Sequence, residues 1–296
     1  MAVIDRIIDI PFVRRSNALR SFLTAAWLGW QIESNWADPL LFVIYSIARP
    51  IASVLILVVM YSVITNGATD KPIFSYIYLG NALYILVGAV ISGVSWTVID
   101  DREHYRTSKQ LHTSPVDHYA YLMGRGVARL LVASVSVLIT IGFGMLAFRL
   151  PIMLARIDWP LFLISTGLGL VSMAAFGMII GSLTMMMARH FWSVGEAIAG
   201  GLYLFTGAIF PLEVLPSFVR WIGFGLPITY WLEVARRALL GPQYIGFPTL
   251  AGLSNTQITG ILAGFTVVLL IGSAFVYRWA LHMAKERGLL DMETAY

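Results

Sequence analysis

The sequence predicts an all-α membrane protein whose helices cross the bilayer about six times. Two features of the composition support this fold class: 58% of the 296 residues are hydrophobic, and only 12% are charged. Soluble domains carry about 25% charged residues, because their surfaces face water. A third observation is the recurrence of apolar stretches of about 20 residues, the length that a membrane-spanning helix needs. Together these features exclude a soluble protein, a disordered chain and a coiled coil.

The N-terminal region is predicted to lie along the membrane surface. Residues 16–36 place apolar side chains on one face of a helix, and these are Leu19, Phe22, Leu23, Ala26, Trp27 and Trp30. Tryptophan and arginine on such a helix favour a position in the headgroup plane, and an ordinary amphipathic packing helix is the alternative. Because a proline disfavours helix at the residue before it, we expect a short interfacial piece to end near Ala48 and the first span to cover residues 50–64.

Five further spans are predicted at residues 75–99, 120–148, 161–187, 192–209 and 258–277. Residues 212–248 are apolar too, but prolines, glycines and charges interrupt them, so we expect two short re-entrant or interfacial helices there. The chain is predicted to be a single domain, with an N-terminal region (1–49), a six-span bundle (50–282) and a tail (283–296). Tryptophans near the predicted span ends, Trp221 and Trp231 among them, are typical of an aromatic belt.

The distribution of positive charge predicts that both termini are cytoplasmic. With six spans, 14 of the 20 lysines and arginines fall on the side that holds both termini, and positive residues favour the cytoplasm. The same rule accounts for the net charge of +4, so we predict a multi-pass protein of the cell membrane with no nucleic-acid partner. The polar stretch 100–118 is then cytoplasmic, and residues 212–248 face outward.

The sequence contains no recognisable catalytic or metal-binding motif. It has no cysteine and no GxxxxGK[ST] phosphate-binding loop, so we do not expect the chain to hydrolyse ATP by itself. His104, His112 and His118 share the cytoplasmic stretch, but their spacing matches no common ligand pattern. We therefore predict neither a catalytic residue nor a metal site.

Glu196 and a glycine motif are candidates for the substrate path or for an interface. Ion-coupled transporters usually place ionisable groups inside the helix bundle, and Glu196 is the exception among otherwise uncharged span centres. Either it serves the path, or it is an interfacial carboxylate paired with Arg189 or another cytoplasmic arginine. Gly177 and Gly181 form a GxxxG motif, which lets helices approach closely within the chain or across a dimer interface.

Two segments after the predicted fifth span resemble the ABC-2 type transporter permeases. Residues 207–216 match the pattern G-x-x-F-P-x-x-x-L-P, and residues 227–241 match P-x-T-Y-x-x-E-x-x-R followed by Leu-Gly. Residues 101–116 and Gly124-Arg125 are similar to the family's segment between spans two and three. One departure occurs there, because many members carry Gly-Thr after the acidic residue, where this chain has Tyr105-Arg106-Thr107. The resemblance extends over nearly the whole chain.

The resemblance implies the membrane subunit of an ATP-driven exporter with two permeases and two ATPase subunits. The second permease would be another copy or a related chain, lipids would surround both, and ATP and Mg²⁺ would be bound by the ATPases. The N-terminal helix and a coupling helix in residues 100–115 would contact the ATPases. Candidate coupling residues are Asp101, Arg102, Glu103, Arg106, Ser114 and Pro115. We expect Glu103→Arg to abolish coupling and to leave the fold intact.

The same resemblance implies an extracellular gate in residues 212–240. Candidate gate residues are Phe210, Pro211, Leu215, Pro216, Pro227, Tyr230, Glu233 and Arg236. Glu233 with Arg236 and Arg237 also has the spacing of an ion pair along one helix, so a substrate-facing role is only one interpretation. An ion-coupled secondary transporter and a non-transport membrane scaffold are the alternative functions. Drugs, lipids and glycans all remain open as substrates.

Overall fold

The computed structural model describes residues 16–34, 39–67, 72–187, 194–241 and 248–289, and within these ranges the chain is helical and has no strand. The predicted all-α fold class is therefore confirmed. We number the helices in chain order: α1 Asn17–Ser34, α2 Pro39–Thr65, α3 Pro72–Ile99, α4 Ser108–Thr113, α5 His118–Ala147, α6 Trp159–Met185, α7 Val194–Phe205, α8 Ser217–Phe224, α9 Pro227–Leu240, α10 Pro248–Ala251 and α11 Asn255–Glu286.

Five helices of the described ranges are long and apolar enough to cross a membrane, namely α2, α3, α5, α6 and α11. The predicted fifth span corresponds to α7, which has 12 residues. At 1.5 Å per residue this is roughly 18 Å, against about 30 Å of hydrocarbon. Trp192, where that span was predicted to begin, lies outside the described residues. The described chain thus holds five candidate spans and one shorter apolar helix.

Helix α2 continues without interruption through Pro50. The predicted break near Ala48 is therefore wrong. A proline inside a helix removes one backbone donor and crowds the preceding turn, but helices in membranes tolerate this where neighbouring groups compensate. The predicted domain boundary at 49/50 falls inside α2, and the one at 282/283 falls inside α11.

Helix α3 is the centre of the bundle, since most of its side chains are buried and it contacts α2, α5, α6 and α7. The GxxxG glycines of α6 face it closely. A Cβ at Gly177 would lie 3.0 Å from the carbonyl oxygen of Val90, and one at Gly181 would lie 2.8 Å from Cγ1 of Val94. In this structure the motif therefore serves packing within the chain, which was the first of its two interpretations.

Helix α1 packs against the first half of α5 through small residues. Its buried positions are Ser21, Ala25 and Gly29, and a Cβ at Gly124 of α5 would lie 2.2 Å from the carbonyl oxygen of Phe22. The apolar face from Leu19 to Trp30 is half-buried or exposed instead. The protein leaves these apolar side chains uncovered. This favours the interpretation of α1 as a helix that contacts lipid over that of an ordinary packing helix.

Polar segments lie at the two opposite ends of the bundle. The end that holds α4, the last turn of α3 and the starts of α5 and α7 is called the α4 end here. The other end, called the α9 end, holds residues 206–241, including α8 and α9. Trp231 of α9 has no exposed surface, whereas Trp221 of α8 is 74% exposed. The aromatic-belt prediction is therefore wrong for Trp231, whose ring packs over Gly169 of α6.

Candidate functional site

At the α4 end, α3 continues past Ile99 as a π-helical turn, Asp100–His104. The backbone N–H of Tyr105 donates to the carbonyl oxygen of Asp100 at 2.8 Å, and that of Thr107 donates to the carbonyl oxygen of Asp101 at 2.9 Å. The sequence predicted a polar stretch beginning at Asp100, but the structure keeps its first five residues on the helix. The charged side chains of this turn are therefore attached to the end of the buried helix α3.

Three of the predicted coupling residues are buried inside the chain. The Tyr121 hydroxyl donates to Asp101 Oδ1 at 3.2 Å. Arg102 Nε lies 3.0 Å from Glu103 Oε1, and the two side chains are only 5% and 2% exposed. Arg102 Nη1 also donates to the carbonyl oxygen of Met187, at the end of α6, at 3.2 Å. These side chains hold the end of α3 in place and do not offer their charges to solvent.

The burial of Glu103 changes what its substitution would do. Glu103→Arg would set a second guanidinium beside Arg102 in a position with almost no access to water. An unpaired buried charge is strongly destabilising. The structure therefore predicts that this substitution destabilises the fold, whereas the sequence led us to expect an intact fold.

The exposed surface of the α4 end is the turn after Asp100–His104 together with α4 and the residues that follow. Its exposed side chains include those of Tyr105, Arg106, Gln110, Thr113 and Pro115. The Ser114 hydroxyl is turned inward and donates to the carbonyl oxygen of Leu111 at 2.8 Å. Of the six predicted coupling residues, Arg106 and Pro115 are thus the ones that face outward.

Hydrogen bonds fasten this surface to α1. Asn17 Nδ2 donates to the carbonyl oxygen of Pro115 at 2.6 Å. The backbone N–H of Asp117 donates to Ser21 Oγ at 3.0 Å. A displacement of α4 would therefore act on α1 and on the start of α5 together.

A charged network continues from this end into the bundle. Arg129 of α5 lies 2.8 Å from Glu33 of α1 (Nε to Oε1) and 3.3 Å from Asp100 (Nη2 to Oδ2). Asp100 Oδ1 lies 3.2 Å from Nδ1 of His104. The network links α1, α3 and α5 at the level where a large cavity opens.

The cavity has a volume of about 910 Å³ and lies between α1, α2, α3, α5 and α7. Charged and indole side chains line it toward the α4 end, and an amide and two phenols line its other end. Small or hydroxyl-bearing residues lie between them. The lining residues include Glu33, Arg49, Trp96, Arg129 and Glu196 toward the α4 end, Ser53, Gly88, Ser92, Ser136 and Gly200 in the middle, and Asn81, Tyr84 and Tyr203 at the far end.

Glu196 projects into this cavity from the first turn of α7. Its Oε1 accepts a hydrogen bond from Trp96 Nε1 at 3.1 Å. Within the described ranges no cation pairs with its carboxylate, and Arg189, one of its predicted partners, lies outside them. The structure therefore places Glu196 on the wall of a cavity.

Sequence reasoning missed the rest of the cavity, although a signal for it exists. Asn81, Tyr84, Gly88, Ser92 and Trp96 recur at intervals of three or four residues in α3 and share one face of that helix. A face of small, polar and aromatic residues on a buried helix is typical of a helix that lines a cavity. Because α3 is apolar on average, the pattern is hidden in any count of hydrophobic residues.

At the α9 end, arginine side chains hold the backbone in place. Arg236 is 1% exposed, and its Nη2 donates to the carbonyl oxygens of Gly207 at 2.8 Å and Ala208 at 3.3 Å. Its guanidinium lies 3.7 Å from the centroid of the Tyr76 ring on α3. Arg220 of α8 donates to three further carbonyl oxygens, those of Leu212, Glu213 and Leu215.

Helices α8 and α9 are joined to each other in the same manner. The Thr229 hydroxyl donates to the carbonyl oxygen of Gly223 at 2.7 Å, and the Tyr230 hydroxyl donates to that of Phe224 at 2.9 Å. Glu233 Oε1 lies 2.9 Å from Nε of Arg237, one turn along α9. The ion-pair interpretation of Glu233 and Arg237 therefore describes this structure, and Arg236 points elsewhere.

The remaining predicted gate residues surround these two helices. Pro227 is the buried first residue of α9, and Pro216 is the exposed residue that precedes α8. Pro211 is buried before the 3₁₀ turn Leu212–Val214, whereas Phe210 and Leu215 are half-buried. The predicted set is thus one connected structure, but most of it contacts the chain itself.

Across the described residues, no three acidic or histidine side chains come together as metal ligands would. What the arrangement offers is a cavity, a charged mouth at the α4 end and a tightly bonded cap at the α9 end.

Comparison with known families adds one match. A family model described as "ABC-2 family transporter protein" matches residues 55–280 of the chain. The match includes the α4 end, the α9 end and most of the residues that line the cavity. No curated protein matches the chain.

Proposed function

Because the chain belongs to the ABC-2 family of transporter proteins, we propose that it is the permease subunit of an ATP-driven exporter. Separate ATPase subunits would bind ATP and Mg²⁺, and a second permease, identical or related, would complete the path. The observation that carries this proposal is the family match over residues 55–280. It covers three regions that a driven permease needs: a cavity, a surface for the motor and a closure at the far end.

The cavity is the proposed translocation path. Its volume of about 910 Å³ lies in the range of about 300–1,000 Å³ typical of small-molecule sites. Helix α7, on its wall, carries Gly200 and Gly201, around which no atom lies within 4 Å of an added Cβ. A short helix with open glycines leaves room for a second permease to close the cavity from the side.

The exposed turn and helix α4 are the proposed contact with the ATPase subunits. This role falls on Tyr105, Arg106 and the outer face of α4, while Asp101, Arg102 and Glu103 hold the turn in position from inside. An ATP-driven change must act through contacts that differ between two states. The hydrogen bonds of Asn17 and Ser21 connect this surface to α1, and the ion pairs of Arg129 connect α1 to the cavity mouth.

Residues 207–241, called the gate segment here, are the proposed outward closure. The segment covers the α9 end with two short helices and is held by Arg220 and Arg236 through backbone carbonyls. Opening would require these bonds to rearrange. In the cell, the positive-inside rule places the α4 end in the cytoplasm and the gate segment outside, in a multi-pass protein of the cell membrane.

Purification of the tagged chain from its native membrane in a mild detergent tests this proposal. Mass spectrometry should find an ABC ATPase subunit in stoichiometric amount, and it would also show whether a second, related permease is present. A chain that purifies without any ATPase, and whose vesicles transport in response to a proton or sodium gradient, would contradict the proposal. That result would favour the ion-coupled alternative.

A further inference from the structure

We propose that the cavity binds amphiphilic organic cations and that the carboxylate of Glu196 recognises their positive charge. This inference rests on the proposed function, because there the cavity is the translocation path. It goes further by assigning a substrate class.

The described part of the chain orients the Glu196 carboxylate but supplies no cation to it. Trp96 Nε1 donates to Oε1 at 3.1 Å and so fixes the orientation of the group. Oε2 makes no hydrogen bond or ion pair within the described part of the chain. A carboxylate that lines a cavity without a cation of its own can accept one from a ligand. The Glu196 side chain is exposed on the wall of this open cavity, so a ligand can reach it.

The arginine that lines the cavity from α5 is already paired with carboxylates. Arg129 also lines the cavity, but it lies between two carboxylates, at 2.8 Å from Glu33 and 3.3 Å from Asp100. Arg129 therefore does not supply a free positive charge for an anionic ligand.

Arg49 is the residue that favours a ligand of negative charge. It lines the mouth from α2 and is exposed, so an anionic ligand could be attracted there. The aromatic lining favours a cationic over an anionic ligand, because ring faces attract cations and repel anions. Trp96, Tyr84 and Tyr203 all line the cavity.

The length of the site indicates the size of the ligand. Glu196 and Tyr203 are both on α7, seven residues apart, which corresponds to roughly 10 Å along the helix. The rings of Tyr203 and Tyr84 are in contact at a tilt of 44°, with centroids 4.7 Å apart, and the two phenols form the far end. Small residues between these ends, Gly88 and Gly200 among them, leave space for an apolar body. A rigid aromatic cation about 10 Å across fits this distance.

The experiment is equilibrium dialysis of radiolabelled tetraphenylphosphonium against the purified full chain in detergent, with empty micelles subtracted. Wild-type chain should bind the cation saturably. Glu196→Gln, which keeps the size and the indole contact, should weaken binding about tenfold or more, since a tenfold change corresponds to about 1.4 kcal/mol. Glu286→Gln removes a carboxylate on α11 outside the cavity and should leave the affinity unchanged. Arg49→Gln removes a positive charge from the cavity mouth and should raise the affinity for the cation.

Three outcomes would overturn the inference. The first is equal affinity of wild-type and Glu196→Gln chains, and the second is no saturable binding by the wild-type chain. The third is tighter binding of tetraphenylborate, an anion of the same shape, that is lost in Arg49→Gln. Binding to the permease needs no ATPase, so this assay can fail while an ATPase still co-purifies. It can also succeed where no ATPase is found, and the two proposals are therefore tested separately.

Discussion

The guanidinium of Arg236 lies directly over Gly80, so that a Cβ at Gly80 would be 1.9 Å from Nη2 of the arginine. The same Cβ would lie 2.1 Å from the carbonyl oxygen of Ala208. Arg236 belongs to the gate segment and Gly80 to the central helix α3. The gate segment is thus fastened to the bundle at a position that has no room for a side chain.

Gly80→Ala should destabilise the chain, because the arginine can turn aside but the backbone carbonyl of Ala208 cannot. Overpacking of this kind costs typically 1–3 kcal/mol, and we expect a loss of about 2 kcal/mol. Thermal unfolding in detergent measures it. Gly88→Ala, on the same helix with no atom within 4 Å of the added Cβ, is the matched control and should not lower the melting temperature. Equal melting of the two variants would show that the contact is not tight.

Gly124→Ala should detach α1 from α5, because the added Cβ would lie 2.2 Å from the carbonyl oxygen of Phe22. Hydrogen exchange of the amides in α1 reports this, and we expect their protection to fall while that of α3 is unchanged. At Gly126, two residues further on, a Cβ would be 3.5 Å from the Val94 side chain, an ordinary contact. Gly126→Ala should therefore keep α1 protected, and a loss of protection there would contradict the packing described.

Arg106→Gly should stabilise the chain. Arg106 has a φ of 52°, in the left-handed region that costs a residue with a Cβ about 1–2 kcal/mol. Glycine has no Cβ and adopts this φ without that cost. Arg149, at the other end of the bundle, has a φ of 51°, and Arg149→Gly should behave alike. We expect each variant to gain up to about 1 kcal/mol, and lower melting temperatures would show that the side-chain contacts outweigh the backbone cost.

Glu103→Arg should fail as a folded protein. Removing one partner of a buried ion pair costs about 3–5 kcal/mol, and here a second guanidinium replaces the carboxylate beside Arg102. The amount of monodisperse protein in size-exclusion chromatography should fall sharply. Glu103→Gln keeps an acceptor for Arg102 and should be milder. Normal yield and melting of Glu103→Arg would place this side chain at the surface.

The fold was predictable because one physical quantity dominates it. Apolar length identifies helices such as α5 and α6 to within two residues at each end, since the bilayer sets that length. Local rules were less reliable. The bias against helix before Pro50 was outweighed in a long apolar segment, and Trp231 looks like Trp221 in sequence although only one of them is buried.

The candidate sites were predictable in position but not in detail. Motifs located the α4 end and the gate segment, yet they could not reveal that Glu103 faces Arg102 or that Arg236 crosses Gly80. Such pairings depend on the distance between helix axes. Glycines such as Gly80 and Gly181 allow a close approach, but the sequence does not show which helix lies against them. The cavity was missed for a similar reason, since its lining comes from five helices, each of them apolar on average.

The most direct test of the account is vanadate-sensitive ATP hydrolysis by the purified assembly. It compares two exposed arginines that share a left-handed backbone and lie at opposite ends of the bundle, Arg106 and Arg149. We predict that Arg106→Glu reduces hydrolysis about tenfold while the melting temperature is kept, and that Arg149→Glu leaves hydrolysis unchanged; a tenfold loss corresponds to about 1.4 kcal/mol of coupling. Equal hydrolysis by both variants and by the wild-type assembly would contradict the claim that an ATPase drives this chain through the α4 end.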